Sequence, residues 1–181
     1  MKWLDYWLQS QRTRRVVPYV EPGARVLDIA CADGALFRLL DGRAGGGVGI
    51  DLDPVPASTP KFRYLRGSFP ADLPPGEPFD VAAALAIVEH VPIADQPAFA
   101  SGCAQALRSG GRLVVTVPSS RVDDILRALK ALRVVDGMHE EQHYGFDPNQ
   151  AIAMFEAAGL KLERHSRFEL GLNHLLVFRK P

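Results

Sequence analysis

Short apolar runs alternate along the chain with stretches whose apolar residues recur at helical spacing. Trp3, Leu4, Trp7 and Leu8 open it with one helical face, followed by the basic group Arg12, Arg14 and Arg15; this predicts an amphipathic helix over 2–20, ending near Pro18. The two tryptophans are expected to bury area against a sheet, leaving the arginines in solvent, with a substrate-facing lid as the alternative. Pro22-Gly23 turns the chain into a first strand, Arg25 to Ile29. A second strand is read at Gly47 to Leu52, a third at Phe62 to Arg66 and a fourth at Phe79 to Ala86. The fourth is continuously apolar beyond Asp80, as a strand covered on both faces requires. The proline-rich Pro54 to Pro60 leaves no room for a full helix between strands two and three.

Asp95 to Leu107 carries Phe99, Cys103 and Leu107 on one helical face, and Arg108-Ser-Gly-Gly111 is expected to end that helix through a left-handed glycine. Leu113 to Val117 predicts the fifth strand, and Val122 to Leu132 a further amphipathic helix. Asp147-Pro148 has the chemistry of a helix start, a capping side chain and then proline at the first position; that helix should end at Ala158-Gly159. Leu160 to Glu169 and His174 to Arg179 close the chain as an antiparallel pair. The expectation is α/β: a Rossmann-like, doubly wound, mostly parallel seven-stranded sheet with an antiparallel C-terminal strand and helices on both faces. Residues 1–181 then form a single domain: an N-terminal helix (1–23), a ligand-binding core (24–118) and a substrate-side helix, last helix and hairpin (119–181).

Composition narrows the function. Lys and Arg together number 21 and so do Asp and Glu, so no net field draws the chain to nucleic acid or to an acidic membrane. Two cysteines, Cys31 and Cys103, make no disulfide framework and no metal site. No run approaches the roughly 20 apolar residues of a membrane helix, and nothing at the start resembles a secretory signal, so a cytoplasmic location is expected.

The chemistry concentrates after the first strand, where Val26-Leu-Asp-Ile-Ala-Cys-Ala-Asp-Gly34 passes directly into a helical pattern. Strand, tight turn and helix in that order place a ligand beyond the strand's carboxyl end. Asp51 lies about twenty residues further on, where such folds set an acid on ribose hydroxyls. A nicotinamide-type G-x-G-x-x-G would fall on Ala30, Ala32 and Ala35 and matches at none of them.

The acid-x-small-x-small-x-Gly loop resembles that of class I S-adenosylmethionine-dependent methyltransferases. Val48-Gly-Ile-Asp51, Phe79-Asp80 with Glu89-His90-Val91, and Leu107-Arg-Ser-Gly-Gly-Arg-Leu113 follow in that family's order. His143-Tyr-Gly-Phe146 and Ala158-Gly-Leu160 resemble its small-molecule, ubiquinone- and menaquinone-biosynthesis-like branch. The resemblance implies S-adenosyl-L-methionine as cofactor, a small polar methyl acceptor, no nucleic acid partner and no membrane insertion.

By that resemblance Asp28 organises the loop and reaches the methionine amino group, the other reading being a carboxylate that satisfies turn amides. Ala30, Ala32 and Gly34 cradle the cofactor; Asp51 and Leu52 flank the ribose. Ser68 and Phe69 stand where the family often has an adenine-binding acid, with Asp72 near. Leu85 and Ala86 lie under the methyl-bearing sulfonium. Alanine at positive φ costs roughly 1–2 kcal/mol, so Ala30 and Ala32 are expected at negative φ, and Asp33 is expected to cap the next helix. Cys31 reads as a packed thiol.

Methyl transfer to a hydroxyl needs a base near neutral pH, and His90 and His143 are the tentative catalytic residues. Glu89, His139 and Tyr144 are assigned to the substrate side. The segment His139-Glu140-Glu141 lacks metal-ligand spacing, so no metal is expected. The leading function is O-methylation of a small polar molecule. Two alternatives stay open: methylation of a lipid or glycan precursor, and a non-catalytic binding protein, the latter because two loop glycines and an adenine acid are replaced.

Overall fold

The computed structural model describes residues 3–119 and 147–181, with side chains from Tyr6 onward in the first span. The predicted helix at 122–132 and the polar stretch at 139–146 lie outside the described residues. Among those described, seven strands form one sheet in the order β3-β2-β1-β4-β5-β7-β6. They are β1 Arg25–Ile29, β2 Gly46–Asp51, β3 Phe62–Arg66, β4 Phe79–Leu85, β5 Leu107–Pro118, β6 Lys161–Phe168 and β7 Asn173–Arg179. The first five run parallel; β7 is antiparallel to both β5 and β6. The chain steps outward from β1 to β2 and β3, then returns to lay β4 on the other side of β1. That reversal opens a crevice beyond the carboxyl ends of β1 and β4.

Alternate residues of the central strands face opposite layers. Leu27, Ile29, Ala82, Ala84, Val115 and Phe178 meet Phe99 and Cys103 of α3 (Gln96–Ala106) and Phe155 of α4 (Pro148–Ala157). Val26, Val81, Ala83, Val114 and Val177 meet Leu36, Phe37 and Leu40 of α2 (Ala35–Leu40), together with Val16 and Val20. Asp147 caps α4 as its sequence predicts, accepting from the Asn149 N–H at 2.9 Å.

Two expectations are corrected. Arg108 to Gly111 does not end a helix. α3 stops at Ala106 and the chain enters β5 at Leu107, with a register shift against β4 between Phe79 and Val81. Gly110 has φ +77°, and a Cβ on Gly111 would press on the carbonyls of Phe79 and Asp80, so the glycine pair lets an irregular strand lie close to β4. Asp80 secures the same corner, accepting from the Arg25 N–H at 2.7 Å and from Arg108 Nε at 2.5 Å. Burial pulls its pKa upward, but these two donors outweigh it and leave the carboxyl below its ordinary value.

The second correction concerns α1 (Trp3–Arg14). Trp7 is 47% exposed and Tyr6 54%, and Thr13 alone is buried among the described side chains of this helix. The helix lies over α2 rather than on the sheet and turns a polar face, Gln9, Arg12 and Thr13, toward the crevice. No described helix is long and apolar enough to cross a membrane.

Candidate functional site

The crevice has two lobes that share Ala30, Asp51, Ile87 and His90. One, about 400 Å³, lies between β2 and α3 and is lined by Ile50, Leu52, Ser68, Phe69 and Phe99. The other, about 520 Å³, lies under α1 and is lined by Asp28, Ala32, Leu85, Ala86, Arg12 and Gln9. Most residues singled out from sequence therefore meet here, including Asp28, Ala30, Ala32, Asp51, Leu52, Ser68, Phe69, Leu85, Ala86 and His90. Gly34 sits just behind the loop. His139, His143 and Tyr144 lie outside the described residues.

The loop after β1 overturns one expectation. Ala30 has φ 60° and Ala32 φ 44°, in the left-handed region together with Gly34 at 76°. The chain must reverse from β1 into α2 within a few residues while presenting its amides to β2. Each left-handed residue is held by its own N–H: Ala30 to the Ile50 carbonyl (2.9 Å), Ala32 to Asp51 Oδ2 (2.8 Å), Gly34 to the Cys31 carbonyl (2.8 Å). These bonds offset a cost of roughly 1–2 kcal/mol per alanine. Gly34 cannot be replaced so cheaply, because a Cβ there would strike the Tyr64 ring, itself packed on Phe37. The surviving glycine stands where both conformation and space exclude a side chain.

The two acids divide the work differently from the sequence reading. Asp51 holds the turn: Oδ2 takes the Ala32 N–H and Oδ1 the Asp53 N–H at 2.9 Å. A carboxylate offers about four acceptor sites, so two remain for a ligand. Asp28 makes no hydrogen bond with another described residue, is 4% exposed and faces the larger lobe. Burial, then the charges of Asp51 and Asp33, push its pKa up to about 8. It does not clamp turn amides, and with that pKa it is mostly protonated at neutral pH in the ligand-free fold.

Asp33 accepts from Gln9 Nε2 (2.8 Å), the Ala35 N–H (3.3 Å) and an Arg38 guanidinium nitrogen (2.6 Å), tying α1 to the start of α2. Cys31 is buried and its thiol is pushed up to about 12, first by burial and then by Asp28, which removes it as a nucleophile near neutral pH. Asp72 is used locally, accepting from the Ser68 N–H at 2.7 Å, and Phe69 meets Phe99 edge-on at 5.4 Å while still lining the smaller lobe. Ala86 also has positive φ, 52°, with its N–H held by the Thr116 carbonyl at 2.9 Å.

Glu89 itself lines neither lobe, although Ile87 and His90 on either side of it line both; it is 4% exposed, and burial pushes its pKa up to about 7 against the opposing pull of its own backbone amide and of Arg12. Sequence reasoning missed Gln9, Arg12 and Thr13. Their i, i+3, i+4 spacing marks one face of α1, but the tryptophans diverted attention to the other. Among the described residues no cluster of His, Cys, Asp and Glu could hold a metal ion.

A family model described as a methyltransferase domain matches residues 4–165. Ubiquinone biosynthesis O-methyltransferase from Idiomarina loihiensis is 28% identical over 154 residues, covering 77% of this chain and 62% of that protein. The chain thus spans less than two thirds of the length of that relative. A TehB-like SAM-dependent methyltransferase from Corynebacterium glutamicum superposes with a TM-score of 0.70 at 17% identity, covering 99% of this chain and 96% of the other. Magnesium protoporphyrin IX methyltransferase from Synechocystis PCC 6803, solved with bound SAH, gives 0.66 at 17% identity, covering 97% and 82%.

Proposed function

Since the chain belongs to the methyltransferase domain family, we propose that it transfers the methyl group of S-adenosylmethionine to an oxygen of a small polar molecule in the cytoplasm. The observation that carries this reading is Asp28, a buried carboxylate with no hydrogen bond to another described residue, aimed into a cavity at the β1/β4 reversal. The residues present suit the cofactor. The two lobes stay open although alanine replaces two loop glycines, because the left-handed turn is kept.

When bound, S-adenosylmethionine supplies a methyl group on a positively charged sulfur, displaced in line by the acceptor. Asp28 would hold the amino group of the methionine moiety, and ionise as it does so. Asp51 would accept from the ribose hydroxyls with the lone pairs its turn bonds leave free. Leu52, Ser68 and Phe69 would border the adenine, and Leu85 and Ala86 would floor the reacting carbon. Alignment and exclusion of water supply most of the acceleration such a displacement needs. His90, at the junction of both lobes, is the described side chain best placed to take a hydroxyl proton. The similarity to a ubiquinone O-methyltransferase supports oxygen as the methylated atom.

Calorimetric titration with S-adenosylmethionine and with S-adenosylhomocysteine tests the proposal. Both should bind, and Asp51→Ala should weaken both by roughly a hundredfold, the loss of two hydrogen bonds to a charged acceptor. Folded protein that gives no heat with either ligand would overturn the proposal.

A further inference from the structure

Five buried side-chain polar atoms have no hydrogen-bond partner among the described residues, and four belong to residues linked to one another by the charge of Arg12 or by a hydrogen bond: Arg12 Nε, Glu89 Oε2, Glu169 Oε1 and Asn173 Oδ1. They come from separate elements that meet beyond the carboxyl ends of β4 and β5. Arg12 projects from α1, Glu89 from the 3₁₀ turn Val88–His90 after β4, Glu169 from the 3₁₀ turn Glu169–Gly171, and Asn173 opens β7 opposite Pro118 of β5. Arg12 acts electrostatically on both Glu89 and Glu169, yet no ion pair among the described residues includes it. Asn173 Nδ2 donates to Glu169 Oε2, which orients both side chains and leaves one oxygen of each unused. Buried polar groups in folded proteins are almost always paired, so a concentration of unpaired ones marks a place built to receive polar atoms from elsewhere.

The cluster meets the larger lobe of the crevice through Arg12. Arg12 lines the larger lobe, as do Leu85, Ala86, Ile87 and His90 on either side of Glu89. Its fully buried unpaired atoms are lopsided: three acceptor oxygens, two of them on glutamates, against one donor, Arg12 Nε. Glu89 is 4% exposed and Asn173 5%, so water reaches neither freely. Arg15, the next cation on this side, packs over the Phe168 ring at 4.9 Å.

We propose that Arg12, Glu89, Glu169 and Asn173 recognise the methyl acceptor, and that the group they take is rich in donors, an amine or neighbouring hydroxyls, and not an anion. This rests on the methyl-transfer reading of the adjoining cavity. A carboxylate or phosphate would meet two glutamates, with Arg12 facing both and Arg15 acting on Glu169 alone, whereas an ammonium or a diol satisfies the free oxygens.

Three probes on one frame, trans-4-aminocyclohexanol, cyclohexane-1,4-diol and 4-hydroxycyclohexanecarboxylate, test this by NMR titration with and without S-adenosylhomocysteine. The amine and the diol should bind, and the carboxylate at least about tenfold more weakly. Glu89→Gln and Glu169→Gln, which keep the shape, should each weaken the amine at least about tenfold and narrow the discrimination against the carboxylate. Their affinity for S-adenosylhomocysteine should stay within about twofold of the parent chain. Equal binding of carboxylate and amine, variants that leave the amine unaffected, or no probe bound by protein that binds S-adenosylhomocysteine would each overturn the assignment. Probe discrimination in protein that fails to bind S-adenosylhomocysteine would uphold the pocket and overturn the cofactor reading alone.

Discussion

Replacing Asp28 by Asn should stabilise the ligand-free protein while abolishing its purpose. The carboxyl is buried, and its pKa rises from 3.8 to about 8 through burial first and the charges of Asp51 and Asp33 second. Between those two values the folded chain holds a proton that the unfolded chain has released. Stability of the parent protein therefore falls as pH rises through this window, and the full penalty is present above the folded value. At about 1.4 kcal/mol per tenfold displacement, burying Asp28 costs the fold at most about 4 kcal/mol at pH 7, where it stays protonated, and about 6 kcal/mol at pH 9, where it is ionised. Asn keeps the shape and carries no charge, so it escapes the term. Urea unfolding of both proteins at pH 4, 5, 7 and 9 isolates it, because every other titration cancels in the difference. The variant's advantage should widen by up to about 4 kcal/mol from pH 4 to pH 7 and by only about 1–2 kcal/mol beyond, an increase in Tm of several degrees at neutral pH for a domain of this size. Stability curves that run parallel for the two proteins would refute the assignment of Asp28 as a buried, unpaired acid.

The same proton links to the ligand. A cationic amino group favours ionised Asp28, so calorimetric affinity for S-adenosylhomocysteine should climb with pH, by up to roughly tenfold per unit, and level off above about 8; Asp28→Asn should bind weakly at every pH and show no such slope. Ala30→Gly and Ala32→Gly should each stabilise by about 0.5–1 kcal/mol in thermal unfolding, the relief of a left-handed alanine less the flexibility of glycine. A loss of more than about 1 kcal/mol would mean that the turn does not need that conformation. Gly34→Ala should cost about 2–4 kcal/mol, from positive φ and from collision with Tyr64 together; a neutral result would show that the β1–α2 turn is looser than described.

Much of the fold was legible in local pattern. β1 and β3 lie at the residues their pattern predicts, bounded by turn residues, and β4 is the unbroken apolar stretch beyond Asp80 that a strand covered on both faces needs. Asp147-Pro148 predicts the start of α4 because a cap and a proline act within one helical turn. The glycine pair at 110–111 misled because glycine ends helices and also permits close strand approach. Only the neighbouring Phe79 and Asp80 carbonyls decide which. The site followed the same division. The order of acids and small residues from Asp28 to Asp51 announces a ligand crevice, since strand, turn and helix follow one another without a gap.

By itself, then, the chain's pattern determined where most strands and helices lie and that a ligand crevice follows the first strand, because those signals act between near neighbours in sequence. Tertiary contact decided what the crevice residues do. Ala30 and Ala32 became left-handed because amides had to meet Ile50 and Asp51 across the β1–β2 pairing. Asp51 took the structural bonds and left Asp28 bare. Arg12, indistinguishable in sequence from Arg14 and Arg15, turned inward toward Glu89 and Glu169 while the other two remained exposed. Backbone sign, hydrogen-bond allocation and the facing of a charge are settled by atoms distant in sequence, and a one-dimensional pattern carries no distances between them.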